Sequence, residues 1–110
     1  TLDRSSAASD VYKRQHYTRA LRLRQALREA YDACFRDVDV LVYPTTLGAA
    51  PRLDEPVEEY ASDVLAVSAN LAGFPAISVP VRRRDPIGVS FAMPWGHDRA
   101  LLSLLAQLRR

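Results

Sequence analysis

A carboxylate inside an apolar segment is the residue of this sequence whose type and position could do chemistry. Asp63 lies in Tyr60–Val81, which is almost uninterrupted apolar sequence. An unpaired buried charge is costly, so a buried carboxylate needs a cation or hydrogen-bond donors. Two interpretations stay open. Asp63 could join Glu59 and Asn70 in a solvated stripe near a helix N-terminus, or it could face a pocket and bind a cationic group.

Other residue combinations that perform chemistry are missing from the sequence. The two histidines, His16 and His97, are far apart and belong to no HExxH motif, and there is no CxxC motif. A nucleophilic serine needs a positioned base, and no GxSxG motif surrounds Ser62, Ser68, Ser78 or Ser90. The dispersed glycines do not form a phosphate loop. We therefore expect no metal, no cofactor and no catalytic group within these residues.

Composition limits the class of protein. The chain has 110 residues, 48% hydrophobic and 25% charged, which fits one globular domain at most. A net charge of +2 is too small to predict a nucleic-acid or membrane partner. No charge-free apolar run reaches the length of a membrane span, and we expect a cytoplasmic protein. Cys34, the single cysteine, lies on the apolar side of a predicted helix and is expected to be buried and inert.

The hydrophobic pattern predicts an α/β fold with the order helix, strand, helix, strand, strand, helix. The helix that carries Asp63 is expected to end at a C′ glycine, Gly73, before Pro75. The predicted elements are a helix at His16–Arg36, a strand at Asp37–Tyr43, a helix from Tyr60 to Leu71, strands at Ala76–Val81 and Gly88–Met93, and a last helix capped by Asp98.

Three of these elements carry a burial prediction. Ala76–Val81 is apolar at both parities, which favours a strand covered on both faces. The first helix has an apolar face of Ala20, Leu23, Leu27, Ala30, Tyr31 and Cys34. The last helix is expected to bury Leu101, Leu102, Leu105 and Leu108. Thr45–Pro56 is predicted to be a loop because Gly48, Pro51 and Pro56 interrupt it.

The first fifteen residues differ from the rest. Thr1–Gln15 is polar and shows no helical period. The string SSAASDVYKRQ, at Ser5–Gln15, resembles the translation of a transposase adaptor used to prepare sequencing libraries. We interpret residues 1–15 as a disordered or adaptor-derived scar and exclude them from the functional argument.

Four motifs together resemble the C-terminal end of the amidase signature family. The resemblance covers His16–Arg110 and implies part of a mixed β-sheet core covered by helices. The motifs are YTRALRLRQALREAYDACF, DVDVLVYPTT, SDVLAVSANLAGFPAISVPV and PIGVSFAMPWGHDRALLSLLAQL.

Within that family the pattern is most similar to the glutamine-hydrolysing subunits of tRNA-dependent amidotransferases. The resemblance implies glutamine as substrate, partner subunits and, through them, tRNA. The family's Lys–Ser–Ser triad matches nothing in this chain, so the chain alone is expected to be inactive and to form the sheet and a pocket wall. Asp63 resembles the group that binds the α-ammonium of glutamine, and Val67, one turn later, is expected to line the pocket.

Departures from the family pattern keep two alternatives open. The chain has PTTLG where the family often has PTTP, GVS where it often has GLQ, and RAL where it commonly has KAQ. A standalone amidase of small amides would fit these differences. A truncated, non-catalytic gene remnant is the second alternative.

Overall fold

Six elements follow one another in the predicted order. The computed structural model describes residues 2–56 and 64–108, with side chains from residue 6. The elements are α1 (Leu2–Asp37), β1 (Leu41–Pro44), α2 (Val67–Ala72), β2 (Ala76–Pro80), β3 (Gly88–Ala92) and α3 (Asp98–Leu108). The α/β class is therefore confirmed, and residues 45–56 form the predicted loop. No helix within the described ranges has the length and apolarity that a membrane span requires.

The first helix is longer than predicted. α1 begins at Leu2 rather than at His16, so the predicted start of this helix is wrong and residues 2–15 are helical. This part of α1 has no apolar face because its described side chains, from Ser6 onward, are exposed. Alanine, lysine, arginine and glutamine favour helix without such a face, and neither glycine nor proline interrupts the run. Whether Ser5–Gln15 derives from an adaptor stays a prediction.

The buried stripe of α1 is narrower than predicted. Leu27, Tyr31 and Phe35 are half-buried and pack against the core, whereas Leu23 is 71% exposed. The spacing of four residues places these three side chains on one line along the helix. Cys34 lies about 100° around the helix from Phe35 and is exposed, so the expectation of a buried thiol is wrong.

The three strands form an antiparallel sheet in the order β1-β3-β2. The core on one face of the sheet consists of Ala72, Phe74 and Ala92, packed against the α1 stripe. The ring of Phe74 lies 4.6 Å from that of Tyr31 and 5.7 Å from that of Phe35, measured between centroids. Apolar contact of α1 with Phe74 and Ala92 therefore packs this helix against one face of the sheet.

The prediction that β2 is covered on both faces is wrong for this chain. Ala76, Ser78 and Pro80 are exposed, while Ile77 and Val79 between them are half-buried. β2 pairs with β3 alone among the described strands, and its other edge is unpaired. Apolar residues at both odd and even positions show that both faces of a strand are suited to burial. Within the described residues, the face of β2 that carries Ala76, Ser78 and Pro80 stays exposed.

The end of α2 agrees with the sequence. Gly73 has φ 80° and its N–H donates to the carbonyl oxygen of Ala69 at 2.9 Å, so it is the left-handed C-terminal residue that the sequence predicts. Residues 64–66 form a turn, and α2 begins at Val67. The predicted start of this helix at Tyr60 lies outside the described residues.

The last helix buries fewer leucines than predicted. Leu101 and Leu105 are buried, but Leu102 and Leu108 are each 60% exposed. The expected N-cap is also shifted by one residue. The carbonyl of His97 accepts the N–H of Leu101 at 3.0 Å, which makes His97 the capping position and Asp98 the first helical residue.

Candidate functional site

The two residues predicted to bind substrate are not brought into one described site. Asp63 lies outside the described residues. Val67 is the first residue of α2 and is 40% exposed. Their proposed roles therefore stay predictions.

Three hydroxyl groups meet on the sheet. In the β2–β3 register Ser78 lies directly opposite Ser90. Thr45 follows β1 and extends its ladder, because its N–H donates to the carbonyl oxygen of Gly88 at 3.1 Å. The Thr45 Oγ1 lies 2.5 Å from Ser78 Oγ and 2.9 Å from Ser90 Oγ, within hydrogen-bonding distance of both. We call Thr45, Ser78 and Ser90 the hydroxyl cluster.

The missing side chain of Gly88 makes room for this cluster. Residues 88 and 90 point to the same face of β3, since side chains alternate along a strand. A Cβ atom on residue 88 would lie 2.8 Å from the Thr45 Oγ1 and would collide with the Ser78 hydroxyl. The hydroxyl cluster therefore depends on glycine at position 88 for steric reasons.

The three hydroxyl protons of the cluster determine which hydrogen bonds it can donate. Its three hydroxyls carry three protons, and two hydrogen bonds within the cluster use two of them. Ser90 is buried, so the arrangement that satisfies it is the one in which its O–H donates to Thr45. The remaining proton then belongs to Thr45 or to the exposed Ser78. The cluster can therefore donate one hydrogen bond outward to a carbonyl or carboxylate oxygen.

An open cleft of about 310 Å³ lies beside the cluster. Thr45 and Ser78 line it together with Thr46, Pro80, Asp85, Pro86, Ile87 and Gly88. The described residues place no general base in hydrogen-bonding contact with the cluster, because its side-chain bonds run between its own members. The arrangement is therefore suited to orienting a polar group and lacks what nucleophilic attack by serine requires.

A second cleft lies between α1, β1 and the residues that lead into α2. Its lining comprises Tyr31, Leu41, Val42, Tyr43, Leu65 and Ser68. Desolvation by burial, and then the neighbouring Tyr31, raise the pKa of the Tyr43 phenol above its usual value. Tyr43 is therefore a neutral phenol at physiological pH. Leu65 and Ser68, rather than Val67, are the described residues of this segment that face the cleft.

Sequence reasoning misses the hydroxyl cluster because its members belong to three separate strands or strand ends. Ser78 and Ser90 lack the motif of a nucleophile, and no local motif joins them to Thr45. The sequence does contain one indication of the cluster, because Ser78 and Ser90 each occupy the middle of a short apolar strand. Only the strand register shows that the two serines face each other.

Comparison with known proteins identifies the family. The family model described as Amidase matches residues 2–102, and the chain belongs to the amidase family. Several similar relatives carry the name of a glutamyl-tRNA(Gln) amidotransferase subunit. The protein from Deinococcus radiodurans is 38% identical over 112 residues, which cover 93% of this chain and 23% of the relative.

Two further relatives of the same name show the same relationship. The protein from Azotobacter vinelandii is 33% identical over 110 residues, covering 94% of this chain and 23% of the relative. The protein from Synechococcus sp. (strain WH7803) is 46% identical over 78 residues, covering 67% of this chain and 16% of the relative. The chain thus spans less than a quarter of the length of these relatives.

Proposed function

We propose that this chain is the C-terminal part of the glutamine-hydrolysing subunit of a tRNA-dependent amidotransferase. The observation that carries the proposal is the similarity to glutamyl-tRNA(Gln) amidotransferase subunits over about nine-tenths of the chain. In this proposal the whole protein acts in the cytoplasm with partner subunits and, through them, with tRNA. The chain contributes sheet, helices and part of the substrate pocket.

The substrate contact proposed for this part of the protein is Asp63. A carboxylate that faces a pocket needs a cationic partner, and the α-ammonium of glutamine supplies one. Val67, four residues later and at the start of α2, supplies an apolar wall. The hydroxyl cluster adds a hydrogen-bond donor for a polar group of a ligand in its own cleft. Within the described residues no general base contacts the hydroxyl cluster, so the chain alone is expected not to hydrolyse an amide.

The test is substitution of Asp63 in a longer protein that carries this chain. Asp63→Asn keeps the shape and removes the charge, and Asp63→Ala removes both. We expect KM for glutamine to rise about tenfold to a hundredfold with kcat little changed, because a hydrogen bond to a charged group contributes roughly 1.5–3 kcal/mol. Steady-state glutaminase kinetics would measure the effect.

Asp54→Ala is the matched control for this test. The Asp54 side chain is 77% exposed and contacts Arg52 at 3.4 Å on the surface loop. Its removal should leave KM unchanged. A KM for glutamine that stays at the wild-type value in both Asp63 variants would refute the substrate role.

The departures PTTLG, GVS and RAL support a second candidate, a standalone amidase of small neutral amides. Such an enzyme has no substrate ammonium for Asp63 to bind. Without partner subunits it should hydrolyse both glutamine and a simple amide such as propionamide. Asp63→Asn should then change KM for the two substrates by the same small factor. The third candidate is a non-catalytic gene remnant. It applies if a longer protein that carries this chain has no Lys–Ser–Ser triad.

A further inference from the structure

The turn between β2 and β3 forms one side of the cleft beside the hydroxyl cluster. Asp85, Pro86 and Ile87 of this turn line the cleft. The Val81 N–H donates to the Ile87 carbonyl oxygen at 2.9 Å. The Asp85 N–H donates to the Arg82 carbonyl oxygen at 3.2 Å. Because these bonds and the restricted φ of Pro86 fix the turn, this side of the cleft is formed before a ligand binds.

The carboxylate of Asp85 has acceptor capacity left for a ligand. Its side chain is 48% exposed, and the Arg82 Nε lies 3.9 Å from its Oδ2. That distance is too long for a hydrogen bond, and the Arg82 side chain is itself 82% exposed, so the attraction between the two is weak. Asp85 can therefore accept a hydrogen bond from an N–H group in the cleft.

The hydroxyl cluster supplies the opposite kind of group to the same cleft. The buried Ser90 uses its proton within the cluster, and one proton of Thr45 or Ser78 stays available. Thr45, Ser78 and Asp85 all line the cleft. Its volume of about 310 Å³ is therefore bordered by an uncharged hydrogen-bond donor and by a negatively charged acceptor.

This pair of groups favours one class of small ligand. A primary amide has a carbonyl oxygen for the hydroxyl donor and an NH₂ group for the carboxylate. A carboxylate ligand has no N–H and is repelled by Asp85, whereas an ammonium ligand has no acceptor for the hydroxyl. Pro80, Pro86 and Ile87 give the lining apolar surface for a short aliphatic chain.

We propose that this cleft binds the primary amide group of a small aliphatic amide. The carbonyl oxygen of the ligand accepts the outward hydroxyl proton of Thr45 or Ser78, and its NH₂ group donates to Asp85. The site binds the amide without cleaving it. Neither Asp63 nor Val67 takes part, so the site goes beyond the proposed function and does not depend on it.

The experiment is an NMR titration of a longer protein that carries this chain, labelled at its isoleucine methyl groups. Propionamide should shift the Ile87 methyl resonance in a saturable way, with a dissociation constant in the millimolar range. The Ile77 resonance should not move, since Ile77 points to the opposite face of β2 from Ser78. Propionate and propylammonium should bind about tenfold more weakly than propionamide, because each lacks one of the two hydrogen-bonding groups.

Asp85→Asn tests the acceptor of the cleft. The substitution keeps the shape of the side chain and removes its charge, so the dissociation constant of propionamide should rise about three- to tenfold. The preference for propionamide over propionate should fall at the same time, because the repulsion is gone. Asp54→Asn is the matched control, since Asp54 also lies 3.4 Å from an arginine, Arg52, on an exposed loop but is not part of the cleft lining. It should leave both dissociation constants unchanged.

Three results would overturn the proposal. The first is the absence of a saturable Ile87 shift with propionamide. The second is binding of propionate or propylammonium as tight as that of propionamide, because one of the two hydrogen bonds would then contribute nothing. The third is an unchanged dissociation constant of propionamide in Asp85→Asn. None of them affects the kinetics of the Asp63 variants, so failure of this site and failure of the proposed function are distinguishable.

Discussion

The hydroxyl of Ser90 depends on a residue that lies 45 positions away in sequence. Ser90 is 7% exposed, and its partner is the Thr45 Oγ1 at 2.9 Å. Within the described residues no buried side-chain oxygen or nitrogen lacks a partner, so this bond completes the polar part of the core. A buried hydroxyl that loses its partner bears a desolvation cost that no other interaction offsets.

Thr45→Val should therefore destabilise the protein by about 1–3 kcal/mol, because valine keeps the shape of threonine and leaves Ser90 unpaired. The free energy of unfolding, measured by urea denaturation of a longer protein that carries this chain, gives the result. Thr46→Val is the control: its hydroxyl bonds the Gly48 carbonyl at 2.7 Å at the exposed surface, and it should change stability by less than about 0.5 kcal/mol. Equal effects of the two substitutions would contradict the argument.

A double substitution tests whether the buried orphan hydroxyl is the cause. Thr45→Val combined with Ser90→Ala removes both partners, which is close to neutral when the shape is kept. The pair should therefore cost less than the sum of the two single substitutions. Simple additivity would show that the two hydroxyls do not interact energetically.

At the level of single residues, the sequence predicts conformation better than contact. The prediction for Gly73 is confirmed because a left-handed residue after a helix has a strong preference for glycine. The burial predicted for Cys34 is wrong because neighbouring residues of a helix point about 100° apart, so that Phe35 lies in the packed stripe while Cys34 faces solvent. The hydroxyl cluster is not predictable because it requires the register of β3 with both neighbours.

At the level of elements, one aromatic side chain links α1 to the sheet. Phe74 is 7% exposed and lies between α2 and β2, where it meets the rings of Tyr31 and Phe35. Offset and edge-to-face aromatic pairs add to the burial of apolar area. The position of α1 therefore depends on Phe74 more than on any exposed residue of α2.

Phe74→Ala should destabilise the protein by about 3–5 kcal/mol, because it leaves a cavity between α1 and the sheet. Leu71→Ala, on the 46% exposed side chain nearby, should cost clearly less. Thermal and urea unfolding of the same longer protein would compare them. A Phe74 variant as stable as the Leu71 variant would show that α1 is held by other contacts.

Element order and type are predictable because each element has its own period or a proline or glycine boundary. The predicted strands lie within a few residues of the observed ones, with β1 at Leu41–Pro44 instead of Asp37–Tyr43, since α1 continues to Asp37. The start of α1 escapes prediction because an exposed helix has no apolar face to reveal it. The predicted burial of β2 and α3 is too high because periodicity shows which face is apolar, not what covers it.

At the level of the whole molecule, the chain leaves much of its apolar surface uncovered. Its accessible surface is 9428 Å², against roughly 6,100 Å² for a compact monomer of this mass. Its radius of gyration is 18.9 Å, against about 13 Å for a compact domain of similar length. Val42, Leu71, Ile87, Leu102 and Leu108 are among the large side chains left 46–60% exposed.

These dimensions lead to a prediction for the isolated 110 residues. In the part of the chain that the structure describes, three strands with unpaired outer edges and a small buried cluster give little cooperative stability. Open edges with exposed apolar side chains favour association. We expect the isolated chain to aggregate or to unfold without a sharp transition, and to bind the dye ANS in the absence of denaturant. Calorimetry and size-exclusion chromatography would show this. A soluble monomer with a single cooperative transition would contradict it, and would mean that α1 and the sheet stabilise each other without the covering that the exposed face of β2 is suited to receive.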